Sequence, residues 1–151
     1  MDDVMEVKEK IATAFLSMRP DNPEDTNEII RPIVTKAVSR LPEDLFLYVT
    51  LSILGLTQGK SYKLFIDILH NGESCIKYYN NPYGDDGEEF VADNKDLPAN
   101  QVSAIFNIDF PVIAIPDTGI YEIKVRLRDS NGELLDENSY YFDIIKRAGN
   151  E

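Results

Sequence analysis

From Ile120 to Arg128 the chain alternates strictly. Tyr121, Ile123, Val125 and Leu127 are apolar, and Glu122, Lys124, Arg126 and Arg128 between them are charged. Successive side chains of an extended chain point to opposite faces, so this run is a strand with one face in a core and one toward water. Ser130-Asn131-Gly132-Glu133 follows, and Asn-Gly is the strongest short hairpin signal. Leu134–Ile145 is therefore expected to return antiparallel. A two-residue turn puts Tyr140, Phe142 and Ile144 on the core face. The same register sets Asp136 opposite Leu127, a poor match that a bulge near Leu134–Asn138 is expected to relieve.

A second hairpin has the same form. Tyr62, Leu64, Ile66 and Ile68 share one face, His70-Asn71-Gly72-Glu73 makes the turn, and Ser74–Tyr79 returns. Further strands are expected at Ile11–Met18, Ile33–Val38, Leu45–Leu54 and Val102–Ile108. Phe110–Ile115 is expected as a short extended piece, kept off a central position by Pro111 and Pro116. Met1–Lys10 carries acids early and lysines late, which suits a short helix or a frayed end. No other segment holds a clear helical period. Seven to nine short strands with regular turns predict an all-β, antiparallel β-sandwich, with residues 1–151 as one domain. Two connections are long: Arg19–Arg31, and the acidic loop Asn80–Asn100, whose length points to function or mobility.

Pro116-Asp117-Thr118-Gly119-Ile120-Tyr121 resembles the tyrosine corner of immunoglobulin-like sandwiches, Asp-x-Gly-x-Tyr. The resemblance implies an Ig-like or fibronectin-like Greek key in which the Tyr121 hydroxyl bonds back to nearby backbone. The Cys…Trp…Cys core of antibody domains is absent, since the chain has one Cys and no Trp. Leu45–Ile145 also resembles a family of small uncharacterised bacterial and phage sandwich proteins. That resemblance is carried by Gly59-x-x-Tyr62, the Asn71-Gly72 turn and the run FPVIAIPDTGIYEIKV, and it implies no catalytic residues.

Charge narrows the partners. The 151 residues hold 27 acids against 15 Lys and Arg, a net charge of −12. Direct binding to nucleic acid or to an anionic membrane is not expected. One Cys and one His exclude a disulfide framework and a Cys-based zinc site. The N-terminus opens with Asp2, Asp3 and Glu6 rather than a basic signal-peptide region, and neither end carries a lipidation motif. With unpaired Cys75, this predicts a cytoplasmic protein.

Few residues invite chemistry. His70 and Cys75 fall diagonally on one face of the second hairpin, about 7–8 Å apart between Cα positions. A Cys–His nucleophile needs a thiolate and an orienting third group. The expected reading is instead a turn-flanking His and a buried small Cys. Asp85, Asp86, Glu88, Glu89, Asp93 and Asp96 crowd one loop. They offer oxygen ligands for calcium, but the EF-hand pattern is not met, and a solvated acidic loop is expected. Tyr78, Tyr79 and Tyr83 adjoin it, and tyrosines there suit a recognition surface. The basic stripe Lys124, Arg126, Arg128 is expected to be a solvated face.

No cofactor and no catalytic set is expected. The function expected is a non-enzymatic protein-binding module, with Tyr78, Tyr79, Tyr83, Asp85, Asp86, Glu88, Glu89 and Asp93 as the contact surface. Its partner is another protein, or a second copy joined through a sheet edge. One alternative is an acidic inhibitor that mimics nucleic acid and blocks a nuclease or DNA-binding protein. A second is a sandwich hydrolase using carboxylates or a metal.

Overall fold

The computed structural model describes residues 9–18, 30–77 and 80–148. Ten strands and no helix occur among them: β1 (Lys10–Ser17), β2 (Pro32–Ile33), β3 (Thr35–Val38), β4 (Glu43–Leu56), β5 (Ser61–His70), β6 (Glu73–Ser74), β7 (Glu88–Val91), β8 (Val102–Ile115), β9 (Gly119–Asp129) and β10 (Leu134–Lys146). They form two sheets. The first has the order β2-β1-β4-β8 and the second β3-β10-β9-β5-β6, with β7 also paired to β5. All pairs are antiparallel except β3 with β10, which is parallel, a departure from the purely antiparallel expectation.

The alternation becomes burial. Tyr121, Ile123, Val125 and Leu127 of β9 are buried, as are Tyr62, Leu64, Ile66 and Ile68 of β5. They pack in one core with Leu47, Val49, Leu51 and Ile53 of β4 in the other sheet. The result is an all-β, two-sheet sandwich.

Several elements differ from expectation. Lys10 opens β1 instead of closing a helix; residues 1–8 of that reading lie outside the described residues, as do 19–29 of the first long loop. Ile33–Val38 is two strands. Ile33 pairs with Leu16 in the first sheet, and Thr35 pairs with Asp143 in the second. The chain changes sheets at exposed Val34, and so short a run carries no period that could show this. Val102–Ile108 and Phe110–Ile115 are one strand, β8. Pro111 is tolerated because β8 is an edge strand and its register against β4 shifts between Leu45 and Leu47. Among the described residues of the return Ser74–Tyr79, only Ser74 is in a strand, β6 (Glu73–Ser74); after it Cys75 crosses to the first sheet, where the Ala114 amide donates to its carbonyl at 2.9 Å. The loop Asn80–Asn100 contains β7, laid along β5 from Leu64↔Glu88 to Ser61↔Val91.

The two hairpin turns also differ. Asn71 and Gly72 both have positive φ, 53° and 82°, with His70 opposite Glu73, as a two-residue turn requires. Between β9 and β10 the turn is longer. The Asp129 amide donates to the Glu133 carbonyl at 3.0 Å, so Ser130, Asn131 and Gly132 form a three-residue loop with Gly132 left-handed at φ 85°. The buried Asp129 carboxylate selects it, accepting the Asn131 and Glu133 amides at 2.9 Å each. Leu135 is then bulged, which restores the expected Leu127↔Asp136 pairing.

Candidate functional site

An open groove of about 1140 Å³ lies on the outer face of the second sheet. Its base comes from the polar-face positions of two paired strands. Phe65 and Asp67 of β5 stand opposite Arg126 and Lys124 of β9. Leu69 and Ile76 add apolar surface at one end. Lys124, Arg126 and Arg128 are half-buried and stand on this outer, solvent-facing side as expected, where they line the groove. The second wall is the 80–86 segment, which carries exposed Asp85 and Asp86.

Backbone pairing holds that wall in place. The Ile66 amide donates to the Tyr83 carbonyl at 2.9 Å, and Asn81 Nδ2 donates to the Ile66 carbonyl at 2.9 Å. The Tyr83 amide in turn donates to Asn81 Oδ1 at 2.9 Å. The segment thus takes the place of a strand between β6 and β7 along β5, leaving fewer open backbone groups there. Gly87 follows at φ 69° with the Phe65 ring against it, where a Cβ would lie 2.7 Å from Cζ. Only glycine fits a left-handed residue pressed onto a ring face.

The expected contact residues separate. Tyr83, Asp85 and Asp86 line the groove. Tyr83 is half-buried and turns its ring to Phe110 of the first sheet, centroids 6.2 Å apart. Burial, with Glu88 nearby, raises its phenol above the usual range. Glu88 and Glu89 are exposed on β7, and Glu89 accepts from Ser61 Oγ at 3.3 Å. Asp93 accepts from Gln58 Nε2 at 2.8 Å, outside the groove lining. Tyr78 and Tyr79 lie outside the described residues. The basic stripe is legible from β9 alone, whereas its place beside Phe65 and Asp67 comes from the β5–β9 register, which no local pattern encodes. The signal that was available is the β9 stripe itself.

The basic wall is already partly engaged. Arg126 pairs with Glu137 of β10, holding that carboxyl below its usual range. Arg128 Nη1 donates to the Gly132 carbonyl at 2.9 Å, and its guanidinium sits 5.7 Å from the Phe65 ring centroid. Arg128 is thereby aimed along the groove floor.

A smaller pocket of about 290 Å³ holds His70 and Cys75. The His70 ring stacks on Tyr121 at 4.1 Å, and Nδ1 donates to the Ile120 carbonyl at 3.1 Å. Cys75 is buried, its thiol 3.9 Å from the Glu73 carbonyl. Burial pushes that thiol up to about 11, the opposite of an activated nucleophile. Among the described residues no cluster of three or more His, Cys, Asp or Glu side chains is placed to hold a metal ion, and no helix is long and apolar enough to cross a membrane. No protein-family model matches the chain, and no curated protein matches it.

Proposed function

We propose that the chain is a non-enzymatic, cytoplasmic protein-binding module of the immunoglobulin-like class, and that it grips a partner in the groove on its second sheet. The observation that carries this reading is the mixed lining of one groove, which brings Lys124, Arg126 and Arg128 together with Asp67, Asp85 and Asp86 and adds apolar surface at Phe65 and Leu69. Such a site suits a partner segment with both charges and an apolar anchor. The Ig-like assignment is supported by β3 running parallel beside β10 while β1 joins the other sheet. It is supported too by the Tyr121 hydroxyl donating to the Asp117 carbonyl at 2.6 Å.

A second reading is an acidic inhibitor that occupies a basic groove on a nucleic-acid-handling protein. Exposed Asp85, Asp86, Glu88 and Glu89 along one short stretch favour it. Capture from the source cell's lysate separates the two when wild type is run beside Lys124→Glu/Arg128→Glu and Asp85→Lys/Asp86→Lys at low and high salt. The groove reading expects one partner lost in both variants. The inhibitor reading expects a basic partner released by salt, lost only with the acids and kept by the Lys124/Arg128 variant. Retention of the same proteins by all three chains overturns both.

A further inference from the structure

The margins of the two sheets are not guarded alike. An edge strand offers unpaired N–H and C=O groups to any other strand, and proteins blunt that hazard with short strands, charges, proline or bulges. β2 is two residues and contains Pro32; β3 is four and contains Lys36; β6 is two and contains Glu73; β7 is four and contains Glu88 and Glu89. β8 is 14 residues long, and Val102–Ile108 within it carries neither charge nor proline. On its inner side it pairs with β4. Among the described residues, the only backbone bond to another segment on its outer side comes near its end, at Ala114.

The side chains of this edge match their own two-fold image. Ser103, Ile105 and Asn107 face outward, with Ile105 67% exposed. Val102 and Ile108 are buried, while Ala104 and Phe106 between them are only half-buried. An antiparallel copy centred on Ile105 sets Ile105 against itself and Ser103 against Asn107 on the outer face. On the inner face it sets Val102 against Ile108 and small Ala104 against large Phe106. No two acids meet, since Asp109 falls opposite Gln101. Centring on Asn107 instead puts Asp109 against Ile105. In a chain of net charge −12, a neutral edge is where a second copy approaches at least electrostatic cost.

We infer that Val102–Ile108 is a homodimerisation edge, and that its occupant is β8 of a second copy, joining two four-stranded sheets into one. This surface is separate from the groove, so it stands or falls independently of the function proposed above.

The test is the mass of the full chain in solution, by light scattering and equilibrium sedimentation over a concentration series. Wild type is expected to be a dimer. Ile105→Lys sets two ammonium groups face to face at an exposed position, and is expected to be a monomer with an unchanged circular dichroism spectrum. Ser103→Asp/Asn107→Asp sets like charges together and is expected to lose the dimer. Ser103→Lys/Asn107→Asp sets opposite charges together and is expected to keep it, which rules out misfolding as the cause of loss. A wild type that stays monomeric throughout overturns the inference. So does a dimer that survives both Ile105→Lys and the like-charge pair.

Discussion

Asp136 of β10 reaches out of its own sheet and accepts the backbone amide of Ile11 in β1 at 2.8 Å. The Tyr140 hydroxyl, on the same strand, donates to the Ile11 carbonyl at 3.2 Å. Ile11 is paired with Ile53 just before the β1–β4 register slips at Ala12, and β1 meets β2 only at Leu16 and Ser17, so the peptide groups of Ile11 need partners from elsewhere. β10 supplies both. Asp136→Ala should therefore lower unfolding stability by about 1–3 kcal/mol, the cost of a buried donor left unmet. Asp136→Asn keeps an acceptor and should lose less. Urea unfolding followed by circular dichroism reads both, and equal stability of wild type and the alanine variant would remove this link from the fold's support.

Tyr121 closes a corner at the other end of β9. Its ring lies in a stack across three strands, with His70 4.1 Å away on β5 and Phe142 5.6 Å away on β10. Tyr121→Phe leaves the stack and removes only the hydroxyl bond to Asp117. The expected loss is about 0.5–1.5 kcal/mol. Tyr121→Leu also removes the aromatic contacts and should cost more. If the two variants unfold at the same urea concentration, the stack contributes nothing beyond area.

Cys75 predicts a response to alkali. Its thiol rises from an ordinary 9.0 to about 11, chiefly by burial; Lys77 offsets part of this, and Asp67 and Glu73 add to it. In that window the unfolded chain has released the proton and the folded chain has kept it. Stability is then fully present below about pH 9 and falls as pH rises toward 11. The phenols of Tyr62, Tyr121 and Tyr140 are raised from an ordinary 10.0 as well, chiefly by burial, so they add to the upper part of the fall and carry it further. Cys75→Ala should flatten the first part of the slope. At neutral pH a thiol reagent should modify Cys75 only at the rate the protein opens, and rapid modification of the native chain would refute the raised value.

The β9 and β5 hairpins were legible because alternation and Asn-Gly turns are local signals. Even the awkward Leu127↔Asp136 pairing was read correctly, although its resolution was not. The bulge expected near Leu134–Asn138 is present at Leu135, but it does not relieve the mismatch: Asp136 stays opposite Leu127, and its carboxylate goes to the amide of Ile11, distant in sequence. Long-range partners of this kind leave no local trace. The sheet change at Val34 and the four-residue β7 were hidden for another reason: both are too short to hold a period. At the groove, Asp85 and Asp86 were picked out by composition, whereas the place of Lys124, Arg126 and Arg128 in its lining follows from the pairing of β9 with β5.

Gly87 connects that groove to stability. It joins the acidic wall to β7 and lies flat on Phe65, with φ 69° and room for no Cβ. Gly87→Ala brings two separable costs, a strained left-handed backbone and a collision with the ring. Together they should destabilise the chain by about 1–3 kcal/mol. Phe65→Leu removes much of the collision but none of the strain. In the double variant the cost of alanine at 87 should shrink without vanishing, and the difference measures the ring contact directly. The effect should also be local. Amide exchange should quicken at β7 and at Ile66, whose amide bonds Tyr83, while Val125 in the core keeps its protection. Uniform loss of protection across β5, β9 and β10 would show that the wall is part of the global folding unit, and not a clamp that can open while the sandwich stays closed.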